Sequence, residues 1–291
     1  MTIYFYKILR KYFHRLVFHL PHEVAHNIIY RSYFGKSLDL KNPRDLNEKI
    51  HWLVIHKFGE LEARLLDKYL VKEYLADLNI SDLHIAKLYG VYDRIENIDL
   101  DMLPERFVLK TTHGCCDKVI CLNKTIFNFE SFKKGLQKSL KREMSKETCE
   151  YFSLPVKKAI ICEEYLDDGE LIYPIDYKFH CFNGKTKIVM VATDREYQTK
   201  FSIYDISWNK LDWVTDNYKE YREIEKPVNF ERMIEIAEEL SKPFLFVRID
   251  LYNIKGMIYF GEFTFTPADG NIMYLKQNAL NEMGEFIELD I

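Results

Sequence analysis

The chain has 291 residues, 47% hydrophobic and 30% charged, which is typical of a globular protein with a large core. A formal net charge of −4 gives no reason to expect nucleic acid as the main partner, and no apolar run reaches the ~20 residues that cross a bilayer. Six cysteines without a secretory signal favour a reduced, cytosolic setting.

Residues 1–20 predict an amphipathic helix with basic residues and no acid. The basic residues are Lys7, Arg10, Lys11 and Arg15. They interrupt any apolar region of a signal peptide. We expect this helix to dock on the domain core, as amphipathic helices generally do. Contact with the inner face of an anionic membrane is the alternative for a basic amphipathic helix.

The next helix carries His22-Glu23-Val24-Ala25-His26, which matches the H-E-x-x-H pattern of zinc peptidases. On a helix, both imidazoles would share one face, and Glu48 is a conceivable third ligand. Only about twenty residues precede the motif, too few for a substrate-binding sheet. Ordinary helix histidines are therefore the favoured interpretation.

Helical spacing continues from Leu61 to Leu78, with Asp67-Lys68-Tyr69 inside the predicted helix. By itself, this pattern makes Lys68 a helix-surface lysine.

A strand over Pro104–Lys110 then enters the loop 111–117, and a second strand leaves it. A lysine at a strand end beside small residues suits phosphate binding, because backbone N–H groups and an ammonium group face the same anion. A zinc site is the weaker alternative, since adjacent cysteines are poor joint ligands of one tetrahedral ion. Its ligands would come from His113, Cys115, Cys116 and Cys121.

Residues 159–166 predict a buried strand that ends in acids. Asn183-Gly184 then predicts a two-residue hairpin turn. With that turn, Lys178 pairs with Val189, and His180 pairs with Lys187.

The stretch Phe246–Pro267 predicts a second hairpin, in which apolar and charged residues alternate. If residues 254–256 form a three-residue loop, Arg248 lies opposite Glu262, and Asp250 lies diagonally beside it. Carboxylates on such a face either pair with cations or hold Mg²⁺. The order of elements indicates an α+β fold with mostly antiparallel hairpins.

Six segments in this order resemble the ATP-grasp superfamily, most closely its TupA-like branch, which is associated with teichuronopeptide and bacterial surface-polysaccharide synthesis. The similarity runs from about residue 40 to 270. The segments are LNEKIHWL (46–53), DKYLVKEYL (67–75), FVLKTTHG (107–114), EEYL (163–166), DYKFHCFNG (176–184) and FVRIDLYNIKGMIYFGEFTFTP (246–267).

The resemblance implies a nucleotide cleft between two α+β subdomains, preceded by an N-terminal helical region. The corresponding ranges are 1–60 for the helical region, 61–104 for a first α/β part, 105–170 for the small subdomain with its phosphate flap, and 171–291 for the C-terminal subdomain.

The resemblance also implies roles for individual residues. Two lysines hold ATP phosphates, a flap closes over them, and a hinge meets the adenosine. These residues are Lys68, Lys110, His113, Gly114, Glu163, Glu164, Tyr165 and Leu166. Arg248 touches the transferred phosphoryl group, and Mg²⁺ is held by Asp250, Glu262 and Thr264. We also assign Asp176, Lys178 and Arg195 to the substrate.

Two positions depart from the family pattern. Gly114 is followed by Cys115, Cys116 and Asp117 rather than by glycines. Ligases such as D-alanine–D-alanine ligase have E-x-N at the metal, whereas this chain has Glu262-Phe263-Thr264. A hydroxyl group is the weaker magnesium ligand, so the number of metal ions stays open.

The resemblance implies an ATP- and Mg²⁺-dependent, cytoplasmic carboxylate–amine ligase that joins an amine or amino acid to a sugar acid through an acylphosphate. An ATP-grasp kinase is the alternative with the same phosphate apparatus, and a zinc peptidase built on His22, Glu23 and His26 is the second. The expected partner is a small molecule or glycan.

Overall fold

The computed structural model describes residues 2–114, 117–153, 157–169, 172–194 and 198–290, and only the backbone of residues 2–9. The helices are α1 (Thr2–Val17), α2 (His22–Phe34), α3 (Leu46–His56), α4 (Glu60–Leu66), α5 (Leu70–Leu78), α6 (Phe129–Leu140), α7 (Met144–Thr148), α8 (Phe230–Ser241) and α9 (Gln277–Glu285).

The strands form two sheets. They are β1 (Leu83–His84), β2 (Leu88–Tyr92), β3 (Phe107–Thr111), β4 (Val119–Cys121), β5 (Ile160–Glu164), β6 (Asp176–Phe182), β7 (Lys185–Thr193), β8 (Lys200–Asp205), β9 (Lys210–Leu211), β10 (Phe246–Ile254) and β11 (Met257–Thr264). Short 3₁₀ turns lie at Ile95–Asn97, Leu100–Met102, Lys124–Ile126, Tyr151–Ser153 and Pro267–Gly270.

The larger sheet has the strand order β1-β11-β10-β6-β7-β8-β9. Its pairs are antiparallel except for the parallel pair of β1 with β11. Helix α8 packs on β6, β7 and β10. Because side chains alternate along a strand, Phe179 and Ile249 join the apolar core with α8 residues such as Ile236, while the polar residues between them point to the opposite face.

The smaller sheet has the strand order β2-β5-β3-β4, and its pairs are all antiparallel. Phe107, Leu109 and Cys162 form its core with Phe129 and Leu136 of α6. The alternate positions of β3 and β5 place Lys110 and Glu163 on the other face.

The N-terminal helices pack against the segment between β4 and β5 of the smaller sheet. Val17, Ala25 and Ile29 form a small core with Cys149, which follows α7. His14 Nδ1 lies 2.7 Å from the carbonyl oxygen of Glu147, and Arg15 donates to the Glu147 carboxylate at 2.9 Å. Docking of the first helix on the protein, which the sequence favoured, is therefore observed.

Among the helices that the structure describes, none combines the length and the apolar character needed to cross a membrane. Contact of residues 1–20 with a membrane surface stays a prediction.

Candidate active site

The β10–β11 hairpin places its charged residues on one face, but in a register that differs from the prediction. The turn has two residues, Lys255 and Gly256, with φ of 53° and 86°, rather than three. Arg248 consequently pairs with Thr264, and Asp250 pairs with Glu262. The predicted pairing of Arg248 with Glu262 was wrong.

A β-bulge at Gly261 shifts the strand pairing by one further residue. Asp250 pairs with Glu262, but the next residue, Leu251, pairs with Phe260, so Gly261 is the extra residue. A Cβ atom at this position would lie 2.8 Å from the Asp250 carbonyl oxygen. Only glycine fits this close approach of the two backbones without a shift.

Arg248 is the centre of the charged cluster on this face. Its Nε and Nη2 donate to the two carboxylate oxygens of Asp250 at 2.7 and 2.8 Å. Nη2 also donates to Thr264 Oγ1 at 3.0 Å and lies 3.4 Å from Glu262 Oε1. Such a bidentate pair fixes the guanidinium plane, which a lysine could not reproduce.

Strand β6 adds a second cation beside the first. Lys178 Nζ donates to Asp176 Oδ2 at 2.6 Å and also to Asp250. Lys178 pairs with Met190, and His180 pairs with Ile188, because a bulge at Lys187 follows the predicted Asn183-Gly184 turn. The predicted pairs with Val189 and Lys187 were therefore wrong by one residue.

The cluster that we call the charged face contains Asp176, Lys178, Arg248, Asp250 and Glu262. Burial lowers the pKa of Arg248, but Asp250 more than compensates, and the net shift is upward. Burial raises the pKa of Glu262, whereas Lys178, Arg248 and Lys68 together bring it below its usual value. The Glu262 side chain is 49% exposed, so this ionised carboxylate is open to a ligand.

His180 lies on the same face, opposite Arg248 on the neighbouring strand. Burial and then the charge of Arg248 lower its pKa to about 3. This histidine therefore stays neutral at physiological pH and adds no charge to the cluster.

The small sheet carries a second set of charges. Glu163 is buried and pairs with Lys110 through Oε2 and with Lys72 through Oε1 at 2.8 Å. Burial raises the pKa of Glu163, but Lys110 and Lys72 bring it below its usual value. Lys72 was not singled out from the sequence, although it lies only four residues after Lys68.

Lys68 lies in a break between α4 and α5, not inside one helix as the pattern predicted. The carboxylate of Asp67 accepts from the backbone N–H groups of Tyr69 and Leu70 at 2.8 and 3.0 Å, which starts a new helix there. The Lys68 backbone N–H donates to the Thr112 carbonyl at 3.0 Å, and its ammonium donates to the Gly114 carbonyl.

In its described part, the loop after β3 makes close contacts within itself. Thr111 donates to the Asp117 carboxylate, and a Cβ atom on Gly114 would lie 2.2 Å from either side chain. Burial, followed by Lys158, lowers the pKa of His113. Cys115 and Cys116 lie outside the described residues, as does Arg195.

The predicted hinge lies at the end of β5. Glu164 is its last residue, and its backbone N–H donates to the Lys87 carbonyl at 2.9 Å. The Tyr165 hydroxyl donates to the Ile172 carbonyl at 3.1 Å, and Arg106 lies 4.7 Å from its ring centroid. Leu166 follows outside the strand. These positions form the edge of the small sheet next to the Lys110–Glu163 pair.

Lys68 lies near both the loop after β3 and the charged face. Its ammonium bonds to the loop after β3, and its charge also acts on Glu262 of the charged face. Because α4, which ends two residues before Lys68, also packs on β11, Lys68 and the loop after β3 lie close to the β10–β11 hairpin.

The H-E-x-x-H segment has a different role. His22 and Glu23 are exposed, and His22 stacks on Tyr151 at 3.6 Å. The two ring nitrogens of buried His26 lie 2.6 Å from His51 Nδ1 and 3.2 Å from the Cys149 carbonyl. In the described part of the chain, no group of three or more His, Cys, Asp or Glu side chains could hold a metal. The zinc interpretation therefore has no structural support.

The two sheets, the larger with the charged hairpin and the smaller with the loop after β3, define an ATP-grasp fold, as the sequence predicted. A family model described as TupA-like ATPgrasp matches residues 48–288. The chain belongs to this family. Helices α1 and α2 precede the matched region.

Solved structures similar to this chain include ligases of low identity. D-alanine–D-alanine ligase from Bacillus anthracis is 14% identical, over 84% of this chain and 69% of that one, with a TM-score of 0.43. The ligase of the same name from Helicobacter pylori is 14% identical, over 84% and 68%, with a TM-score of 0.45. D-cycloserine synthetase DcsG is 14% identical, over 78% and 70%, with a TM-score of 0.44. No curated protein matches the chain.

Proposed function

We propose that the protein is an ATP-dependent carboxylate–amine ligase that joins an amino acid or amine to a sugar acid in bacterial capsular or other surface polysaccharide. Membership of the TupA-like ATP-grasp family supports ATP as the energy source. The observation that carries the proposal is the charged face, in which Lys178 and Arg248 meet Asp250 and Glu262, together with the packing of α4, which ends two residues before Lys68, on β11.

In this reaction a carboxylate oxygen of the donor attacks the γ-phosphorus of ATP, and ADP leaves. The amine then attacks the acylphosphate carbon, inorganic phosphate leaves, and the nitrogen loses a proton. The main task of the protein is to neutralise charge on the phosphoryl group in transfer. Lys68, Lys110 and Arg248 supply that charge, and Lys178 and Arg195 are proposed to hold the substrate.

The charged face fits a magnesium ion in the type of its ligands. Asp250, Glu262 and Thr264 offer hard oxygen atoms on adjacent strands. Three carboxylates face two cations within the charged face, and Lys68 adds a third positive charge near Glu262. When bound, Mg²⁺ would neutralise phosphate oxygens. Arg248 and Lys178 hold both Asp250 oxygens, which leaves half-exposed Glu262 as the most open ligand.

Lys110 is proposed to exchange its Glu163 partner for ATP phosphate. ATP with Mg²⁺ should therefore raise the melting temperature of the wild-type protein. In Lys110→Ala we expect a loss of ATP affinity of about 10- to 100-fold, the usual loss for one charge-assisted hydrogen bond. Each variant is compared with its own nucleotide-free melting temperature, because the substitution also removes an ion pair.

Lys133→Ala is the matched control, since Lys133 is a partly exposed lysine of α6 whose ammonium pairs with exposed Glu130 and lies 5.4 Å from the Phe129 ring centroid. It should keep the full shift with ATP. A wild-type protein whose melting temperature ignores ATP and Mg²⁺ would overturn the proposal.

A second assay separates a ligase from an ATP-grasp kinase. Incubation with ATP, Mg²⁺, D-glucuronate and a panel of amino acids should release orthophosphate only when an amine is present. ADP formation without orthophosphate, together with a stable phosphoester, would identify a kinase instead.

A further inference from the structure

The charged face continues sideways across the larger sheet to an aromatic surface. Antiparallel pairing aligns Asp176 of β6 with Ala192 of β7, and Ala192 with Phe201 of β8. Residues that pair directly point to the same side of a sheet. Phe201 therefore shares the face of the catalytic charges, about 10 Å from Asp176 at the usual strand spacing.

Phe201, Tyr218 and Tyr274 form what we call the aromatic cluster. The Phe201 ring centroid lies 4.9 Å from that of Tyr274 and 6.4 Å from that of Tyr218. Two backbone hydrogen bonds fix these segments, from Phe201 N to Tyr218 O at 2.8 Å and from Thr215 N to Tyr274 O at 3.0 Å. The rings are thus held in place by the sheet and the adjoining loops.

The cluster is only partly covered by protein. Tyr218 is 39% exposed, and Phe201 and Tyr274 are half-buried. Phe201 and Tyr274 pack at the margin of the apolar core, whereas Tyr204, on the opposite face of β8, is fully buried. The aromatic cluster therefore presents ring surface next to the site.

Tyr274 links the aromatic cluster to the phosphoryl-binding arginine. Burial raises the pKa of Tyr274, while Arg248 opposes the shift, and the net pKa lies above the usual value. The phenol thus stays neutral, with its hydroxyl near the guanidinium of Arg248. A ligand on the rings would therefore lie beside the charged face.

We propose that the aromatic cluster binds the pyranose ring of the carboxylate substrate. This inference rests on the proposed function. A pyranose has an apolar face of C–H groups and a polar edge, and an aromatic ring offers the matching flat apolar surface with a polar tip in tyrosine. The carboxylate at one end of a uronic acid would then reach Arg248 while the ring stacks on Tyr218.

The test measures binding of D-glucuronate and methyl β-D-glucuronide by calorimetry in the presence of ADP and Mg²⁺. D-Gluconate has a carboxylate and hydroxyl groups but no ring, so it should bind at least about tenfold more weakly. Tyr218→Ala should weaken pyranose binding about tenfold, whereas Tyr218→Trp should retain it.

Tyr221→Ala is the matched control, because Tyr221 lies three residues further along the same segment and is 69% exposed. It should bind the sugar like the wild type. Equal binding of gluconate and glucuronate, unchanged binding in Tyr218→Ala, or no binding of either pyranose by the wild type would overturn the inference.

The ATP-induced melting shift keeps the two proposals distinguishable. If the wild type responds to ATP but not to the sugars, the sugar subsite is wrong and the nucleotide function stands. If ATP also has no effect, the proposed function itself has failed.

Discussion

Glu163 holds two ammonium groups inside the smaller sheet. Its side chain is almost fully buried, whereas Lys72 and Lys110 are 15% and 23% exposed. Without the carboxylate, two like charges would face each other in a poorly solvated place. Removing one partner of such a buried ion pair destabilises the fold strongly, because the other charge is left buried without compensation.

Glu163→Gln should therefore lower the free energy of unfolding by on the order of 2–4 kcal/mol at pH 7. The pKa of Glu163 is lowered in the fold, so its ionised form contributes stability above the unfolded pKa. That contribution disappears as the pH falls through the folded pKa, and the variant and wild type should converge in acid. Urea denaturation at several pH values measures this.

Glu238→Gln is the control for that measurement. Glu238 pairs with Lys185 at 2.7 Å, but the lysine is 68% exposed. A surface pair of this kind is worth about 0–1 kcal/mol. Equal losses in the two variants would show that Glu163 is not a buried charge partner.

At the scale of elements, the β10–β11 hairpin depends on one glycine. Gly261→Ala pushes a Cβ atom toward the Asp250 carbonyl, and the neighbour is backbone that cannot rotate away. We expect a loss of about 1–3 kcal/mol of stability and a displaced Asp250–Glu262 pair. Thermal denaturation and ATP-induced shift report the two effects.

Gly135→Ala makes the same chemical change with the opposite expected sign. Gly135 is exposed in α6, and no atom lies within 4 Å of the added Cβ. The substitution should raise stability by roughly 0.5–1 kcal/mol, as alanine does in helix interiors. Destabilisation by Gly135→Ala, or tolerance of Gly261→Ala, would contradict the packing described for each site.

The β6–β7 and β10–β11 hairpins show how much of the strands could be predicted from the sequence. Alternation located β6, β7, β10 and β11, and Asn183-Gly184 located a turn, because both signals are local. The register was wrong because each hairpin contains a bulge and because the β10–β11 turn has two residues rather than three. Gly261 is required by contact with a backbone eleven residues away in sequence, and alternation does not reveal that contact.

The proposed site residues were predicted in a different way. Ordered family segments, not periodicity, indicated Lys68, Arg248 and Glu262, and their roles stay predictions. Periodicity alone placed Lys68 inside a helix, because it does not reveal the cap formed by Asp67 or the backbone contact of Lys68 with Thr112. Lys72 was missed because its partner Glu163 lies 91 residues further along the chain.

At the scale of the molecule, the turn that follows β11 contacts both the segment after α7, through Glu150, and the N-terminal helical region, through His51. Thr266 donates to Glu150, and His51 Nε2 lies 3.2 Å from Asn271 Oδ1. Asp269 lies in this turn with a left-handed φ of 56°. Burial and then Glu150 raise its pKa to about 7, against the opposing charges of Arg10, Lys11 and Arg142.

This carboxyl group should make stability depend on pH. Between pH 4 and 7 the folded state holds a proton on Asp269 that the unfolded state has lost, so stability falls as pH rises through this window. Asp269→Asn should flatten that slope in melting temperature measured from pH 5 to 8. Asp212→Asn should not, because Lys219 and Lys276 lower the pKa of Asp212 to about 2 and keep it ionised throughout. Identical slopes in wild type and Asp269→Asn would refute the assignment.

The order of strands in the larger sheet determines which strand edge stays unpaired while the chain is synthesised. Strand β10 lies between β6 and β11, yet it is synthesised more than sixty residues after β6. Until then β6, whose residues are all buried in the finished protein, has an open edge for pairing with other chains. A nascent or truncated chain that ends before residue 246 should therefore aggregate or require a chaperone, whereas addition of the last hairpin closes that edge and assembles the charged face in a single step.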